Sequence, residues 1–473
     1  MFLKRPRAGG SRTSNNTWLA ALGVTAVTCG AMAAIASIPG DPQPSGALFW
    51  PALWCSLGLL AVPVLGLRND SAALLRTEHV LMVGLVYWLL LDPLQGAYPL
   101  EGVAPDDVVL AFVAIGTMAG GIWIGIAGTG WPLPNVVLRA VRQPLSSKSL
   151  FKAVCLTFLL GMFYFAFSSD FDPVTMIDGL GASRFSAPWS RGALGGAEAF
   201  VEHLKYFGFV LPSLTVLIAR RERWIRPRTV CAAIMSLIMI LFLAQDGGRR
   251  IIGVAAGAAL AAWLLSQERV RPKVLIGGLV AAVSLLAGME LMLAYRSVGF
   301  SSLLQASGQD MEISRLHVDD NFLRLSQIVR IFPDVQSYVD LQPMSYALAR
   351  PIPRFFWSGK PSDPGYDLAA LLGLSGVSLT QSIVGELYAM HGLFVVFIGG
   401  LVFGRIANMW NKILLVPGGS GKPMIYGLGV MVLLAALRSM QDLIIMSYGL
   451  LGWLVIAGFL PDGRAETAVA KPG

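Results

Sequence analysis

Apolar stretches of bilayer-crossing length recur along the chain, separated by short polar breaks rich in Gly, Pro and charge. A helix needs about 20 apolar residues to cross a hydrocarbon layer, and about twelve stretches qualify: roughly 17–38, 47–67, 79–95, 107–127, 150–168, 204–219, 229–245, 251–266, 274–294, 383–404, 424–440 and 443–461. Two connections are too long to be turns, roughly 169–203 and 295–382, and the second is too long for a structureless loop in a compact protein. Inside it, Val318–Phe332 places Phe322, Leu325, Ile328, Val329 and Phe332 at helical spacing behind Asp319 and Asp320, which suit a cap or first turn. This pattern predicts an amphipathic helix lying on the outer membrane face. The chain thus divides into 1–294 with nine spans, the long loop 295–382, and 383–473 with three spans and a tail.

Composition agrees with this pattern. Of 473 residues, 55% are apolar and 14% charged, against about 25% charged in soluble domains. Disorder is excluded, because it needs low hydrophobicity and high charge. The expected fold class is an all-α polytopic membrane protein. The basic start, apolar stretch and Ala34-Ile35-Ala36 also outline a signal peptide, but the stretch is long for one and is read as the first span. The four cysteines lie in apolar runs and show neither a disulfide framework nor a zinc spacing.

Charge then orients the spans. One alternating set of connections carries 23 basic residues, among them Arg220, Arg221, Arg223, Arg226 and Arg228, and the positive-inside rule makes that set cytoplasmic. Both termini fall inside, as an even span count requires. The net charge of +8 therefore hides a strongly polarised chain, with 13 basic and 22 acidic residues on the outer side. With the outer side negative in sum, an anion site there must be made by a few placed cations. The basic excess follows the insertion bias and is no footprint of nucleic-acid binding.

Candidate functional groups on the outer side cluster in three places. The hairpin Gln245-Asp246-Gly247-Gly248-Arg249-Arg250 puts two guanidiniums at a helix start, where the dipole already favours anions. Snorkelling to the interface would explain them blandly; a phosphate or diphosphate clamp is the functional reading, since the guanidinium fork matches oxyanions. The second place is Arg350-Pro351-Ile352-Pro353-Arg354-Phe355-Phe356-Trp357-Ser358-Gly359-Lys360-Pro361. Its prolines hold the backbone extended, so it is either a rigid interfacial anchor or a preorganised cationic strap with aromatic faces for sugars. The third is the run Gln381-Ser382 and Gly385-Glu386-Leu387-Tyr388-Ala389-Met390-His391-Gly392, where Glu386 and His391 are ionisable at a membrane boundary. Glu386 is a general-base candidate or a plain partner for an outer arginine such as Arg354. His391 is read first as a hydrogen-bonded helix residue. Arg296, and Arg438 with Gln441 and Asp442, could join an anion site. Asp170-Phe171-Asp172 has the spacing of a metal-binding carboxylate pair but reads as a turn. No nucleotide loop, dinucleotide fingerprint or zinc-protease motif occurs in a suitable context, so no cofactor or metal is expected.

These segments resemble the Wzy-type O-antigen and exopolysaccharide repeat-unit polymerases, most strongly over Ser345–Gly404. That family's isoleucine-Pro-Arg, aromatic, then Lys-Pro pattern reads here as Ile352-Pro353-Arg354-Phe355-Phe356-Trp357 followed by Lys360-Pro361. Its Gly-Glu-Leu-Tyr segment reads as Gly385-Glu386-Leu387-Tyr388, with Met390-His391 where Asn and an aromatic are usual. Its small-residue-then-Arg hairpin matches Gly247-Gly248-Arg249, with Arg250 replacing a frequent Gly. The resemblance implies a GT-C-type glycosyltransferase of the bacterial inner membrane with its active site on the periplasmic side. It would join polyprenyl-diphosphate-linked oligosaccharides, alongside membrane lipids, a chain-length regulator and a flippase, without a metal. On that reading Glu386 is the base, with Arg249 and Arg354 catalytic. Arg249, Arg250, Arg296, Arg350, Arg354, Lys360 and Arg438 hold the diphosphate, and Trp357, Tyr388 and Gln381 contact sugar. The alternatives are an O-antigen ligase, for which His317 is the one histidine candidate in the long loop, and a twelve-span lipid-oligosaccharide flippase or transporter.

Overall fold

The computed structural model describes residues 12–67, 71–97, 99–100, 102–183, 186–190, 201–247, 249–267, 272–295, 315–316, 318–354, 356–377 and 379–460. Among them the regular structure is entirely helical. The helices that matter for the site are α1 (Arg12–Ala36), α2 (Phe49–Leu67), α3 (Thr77–Gln95), α4 (Pro105–Ala127), α5 (Asn135–Arg142), α6 (Ser147–Ser168), α7 (Pro173–Gly181) and α8 (Leu211–Glu222). They continue with α9 (Pro227–Gly247), α10 (Arg249–Leu265), α11 (Pro272–Tyr295), α12 (Asn321–Ile331), α13 (Gln342–Ala349), α14 (Ser382–Leu415), α15 (Lys422–Ala436) and α16 (Met440–Phe459).

Nine of these are long and apolar enough to cross a membrane among the described residues: α1, α2, α3, α4, α6, α9, α11, α14 and α16. The other three stretches expected to span differ in kind. The apolar helices at Arg250–Leu265 and Lys422–Ala436 are shorter. The stretch at 204–219 begins as a 3-10 helix, His203–Val210, and becomes α-helical only at Leu211. Pro212 explains that break, because proline has no N–H to donate and is accommodated in the first turn of a new helix.

Basic residues tie one end of the bundle together. Arg220 donates to the Ser266 carbonyl, Arg221 to the Leu145 carbonyl and Ser420, and Gln143 to the Leu460 carbonyl. The ends of α8, α10 and α16 and the start of α15 therefore share one level. They belong to the strongly basic set of connections.

Small residues set the closest helix crossing. Gly121 and Gly125 of α4 face Gly400 and Gly404 of α14, so close that a Cβ on Gly404 would lie 2.9 Å from the Gly125 Cα and run into the Ile122 carbonyl. Between apolar helices in an apolar solvent, such backbone approach supplies the van der Waals contact that a hydrophobic driving force cannot.

The long connection folds into the bundle instead of lying on it. Helix α12 forms where its spacing predicts, but Phe322, Leu325 and Ile328 are buried in one core cluster with residues of α2, α3, α4 and α14. The expectation of a surface helix is corrected here: its apolar face is covered by protein. Helix α14 adds a second inserted piece. His391 (φ −159°, ψ 46°) and Gly392 (φ 63°, ψ −153°) break the helix. Twelve residues of straight helix would separate Leu387 from Gly399 by about 18 Å, yet the Leu387 side chain packs on Gly399. The chain therefore doubles back, and Ser382–Met390 forms a fully buried arm. Gly392 is required there, since its φ is left-handed and a Cβ would come 2.8 Å from the Tyr338 hydroxyl.

Replacing Gly404 by Val is expected to force α4 and α14 apart and cost about 1–3 kcal/mol. Thermal unfolding in detergent checks this; an unchanged midpoint would refute the close crossing.

Candidate functional site

Three shortened or broken helices end at one height. Counting 1.5 Å per α-helical residue and 2.0 Å per 3-10 residue from the basic end, Arg250, Arg438, Asp442 and Lys205 lie about 22–29 Å up. That rise is close to the thickness of an apolar layer, about 30 Å.

Asp442 is the centre of the first cluster. Ser439 caps α16, its Oγ accepting from the Asp442 N–H at 3.1 Å, which fixes the carboxylate in the first turn where the helix dipole favours it. One oxygen accepts from Arg250 Nη1 at 2.6 Å and the other from Arg438 Nη1 at 2.9 Å. Arg438 also donates through Nε to Asp319 Oδ2 at 2.7 Å. Asp319 and Asp320 both adopt left-handed backbone (φ 72° and 52°), which aspartate tolerates better than most residues. Neither acts as the cap the sequence suggests. Asp319 serves Arg438, while Asp320 pairs with Arg324 at 3.1 Å and makes no side-chain cap bond.

Glu386 stands behind this cluster, 7% exposed, and its Oε2 accepts the Met440 N–H at 2.6 Å. It satisfies one of the orphan donors at the start of α16. No ion pair joins it to Arg354 among the described residues. Its placement suits holding the Ser439–Asp442 turn in position.

A second cluster, which the sequence reading did not assemble, surrounds Lys205. Its ammonium is buried, 2.7 Å from Asp246 Oδ2 and 3.0 Å from Glu202 Oε1. It also lies 4.8 Å from the Tyr164 ring centre and 5.5 Å from that of Tyr206. Tyr206 packs on Tyr448 at 4.9 Å, and Tyr448 meets His203 edge-on at 5.0 Å. Burial alone would raise the Glu202 carboxyl, but Lys205, then His203 and Arg350, hold it below its ordinary value. Sequence carries two signals for this cluster, a lysine within an apolar stretch and a glutamate three residues before it; the second carboxylate, Asp246, comes from a position that spacing does not connect.

The strap is not extended as its prolines suggest but folds through successive turns, with the Phe356 and Lys360 N–H groups donating to the Pro353 and Trp357 carbonyls, and its electrostatic character differs from that of the other clusters. Helix α13 packs on α16 and ends at Arg350, whose charge reaches Tyr206, Tyr448 and Glu202. Lys360 Nζ folds back on the Arg350 and Ile352 carbonyls at 3.2 and 2.9 Å. Arg354 donates to the Lys360 and Pro361 carbonyls at 3.3 and 3.4 Å. Burial, then Arg350 and Arg354, lower the Lys360 ammonium from its ordinary value. Among the described residues none of these three cations has a carboxylate partner within ion-pair distance.

The remaining sites fall as follows. Trp357 is 43% exposed on the strap. Tyr388 is buried and hydrogen-bonds Tyr338, and Gln381 is the half-buried residue before α14. His391 is exposed with its Nε2 2.8 Å from Asp340. Asp172 caps α7, accepting from Val174 and Thr175. Arg296 and His317 lie outside the described residues, as does the side chain of Arg249, which begins α10. A small open cleft is lined by Pro44, Leu48, Pro93, Leu100 and Phe322 with Asp92 and Asp320. It contains no cation and is a poor place for an anion.

No protein-family model matches this chain, and neither curated proteins nor solved structures provide a match.

Replacing Arg438 by Met would strip Asp319 and one oxygen of Asp442 of their charge partner in a buried setting. The expected cost is about 3–5 kcal/mol, whereas Arg354→Met on the exposed strap is expected to shift stability by under about 0.5 kcal/mol. Thermal melts of both variants in detergent test the contrast, and equal midpoints would contradict it.

Proposed function

We propose that this protein is a membrane glycosyltransferase that polymerises polyprenyl-diphosphate-linked oligosaccharide repeat units. The observation that carries this reading is the strap: Arg350, Arg354 and Lys360 have no carboxylate partner within ion-pair distance among the described residues, and Arg350 reaches the cluster around Lys205 near the edge of the apolar thickness. A lipid diphosphate presents its anion at that height, with the lipid tail among the helices and the sugar toward water. The resemblance of the strap and of Gly385–Tyr388 to the repeat-unit polymerases points to the same substrate. On this reading the chain is GT-C-like, crosses the bacterial inner membrane about twelve times with both termini cytoplasmic, and works on the periplasmic face. Membrane lipids, a chain-length regulator and a flippase are the implied partners.

The chemistry follows from the charges. Breaking the sugar–phosphate bond leaves a lipid diphosphate whose growing charge needs preorganised donors. Strap cations reach it directly because they have no carboxylate to leave. Arg250 and Arg438 are already neutralised by Asp442 and Asp319, so they contribute a fixed polar wall. Glu386 acts through the α16 turn as a positioning residue.

A lipid-oligosaccharide flippase is the second reading. It is favoured by the broken helices and by the buried Lys205–Asp246 pair, features that also mark transport sites.

Purified protein incubated with lipid-linked repeat units is expected to produce a ladder of longer glycolipids. Translocation without new glycosidic bonds would favour the flippase. Arg350→Ala and Arg354→Ala are each expected to lower the rate by about 10²–10³ without loss of folded protein. Ladders of normal rate and length from both variants would remove the strap from the mechanism. EDTA is expected to leave the ladder unchanged, and a strict need for a divalent cation would contradict charge stabilisation by arginine and lysine alone.

A further inference from the structure

Resting on that reading, we infer that Glu202 is the base that takes the proton from the acceptor hydroxyl, above an acceptor-sugar floor formed by Tyr206, Tyr448 and His203. A carboxylate acting as base needs an oxygen open to the acceptor and held in a fixed direction. The carboxylates around these cations differ sharply on this point. Asp442 is clasped on both oxygens by arginines, and Asp319 is held by Arg438. Glu386 is buried and occupied by the Met440 N–H. Asp246 is 9% exposed and locked to Lys205.

Glu202 alone in this group combines restraint with access. Its Oε1 is held by Lys205 at 3.0 Å, its Oε2 has no hydrogen-bond partner among the described residues, and its side chain is 38% exposed. Lys205 in turn is anchored by Asp246 and by the two tyrosine faces, so the carboxylate is aimed from a rigid base.

The floor beside it fits a sugar ring. Aromatic faces bury the C–H side of a sugar and leave its hydroxyls to polar neighbours. The Tyr448 hydroxyl is buried with no hydrogen-bond partner among the described residues. Buried polar groups are rarely left unpaired, and a hydroxyl of a bound sugar would supply the missing partner. Arg350 joins this floor to the strap, which puts donor diphosphate and acceptor hydroxyl on neighbouring groups.

The transfer balances as follows. The acceptor oxygen attacks the anomeric carbon of the donor sugar and its proton passes to Glu202 Oε2. The bond from that carbon to the phosphate oxygen breaks, and the lipid diphosphate leaves with the electron pair beside Arg350, Arg354 and Lys360.

The test uses azide, an anionic nucleophile that needs no base. Glu202→Gln is expected to lower kcat by about 10²–10⁴ while KM for the acceptor stays within about threefold. Glu202→Ala is expected to be equally slow, and added azide is expected to restore lipid-diphosphate release with formation of a glycosyl azide. Glu202→Gln working within threefold of wild type would overturn the assignment. So would a slow Glu202→Ala variant that azide does not restore while it remains folded and binds inorganic pyrophosphate as wild type does, because its loss would then be one of positioning. If the wild-type protein forms no glycosidic bond at all, the polymerase reading falls, and this assignment falls with it.

Discussion

A helix that stops inside an apolar layer leaves backbone donors or acceptors, a dipole end and any terminal charge without water, and each must be matched by protein. Helices α10 and α15 and the 3-10 segment before α8 all meet this demand at one height, and the outer half of the structure is arranged around the answer. Asp442 answers for two of them, since it accepts from Arg250, the second residue of α10, and from the arginine that follows α15. Arg438 sits where a helix C-terminus favours a cation, whereas Arg250 sits at an N-terminus that opposes one. That opposition makes the carboxylate necessary for Arg250 in a way it is not for Arg438.

The inserted segments follow from the same demand. Asp319 reaches Arg438 because the long connection descends into the bundle, and α12 can descend only because its apolar face has α4 and the α14 arm to meet. The arm exists because Gly392 permits a reversal, and its Glu386 then closes on the first free N–H of α16. Paired charge and inserted helix therefore support each other. Removing a charge would leave its partner buried, and withdrawing the helix would expose both.

Against this neutralised wall the strap stands apart. Its prolines prevent it from entering the helical array, so its cations rest on backbone carbonyls at the surface. Carbonyl oxygens are weaker partners than carboxylates and release a cation to an incoming anion at little cost. One group of cations is thus paired with carboxylates while another remains free to bind, a division that suits recognition of a diphosphate without a bulk positive field.

Much of the fold is legible in the order of residues. Hydropathy locates the apolar rods, because each must be about as long as the layer it crosses, and the alternation of basic connections separates the two ends of the bundle. The helix at Asn321–Ile331 is a local property that spacing reveals, whereas proline content misleads at Arg350–Pro361, which folds through successive turns and not as an extended run. The pairing of charges is not local. Arg438 finds Asp319 across 119 positions and Arg250 finds Asp442 across 192, and the Lys205 cluster joins residues of five separate segments. Hydropathy likewise records that a stretch is apolar but not whether lipid or protein covers it, so α12 reads as a surface helix until its neighbours are known. The sequence alone determined a polarised helical membrane protein with a few unusual outer cations. Only the tertiary structure decided which cations are already satisfied and which are free, because that depends on distances between helices and not on positions along the chain.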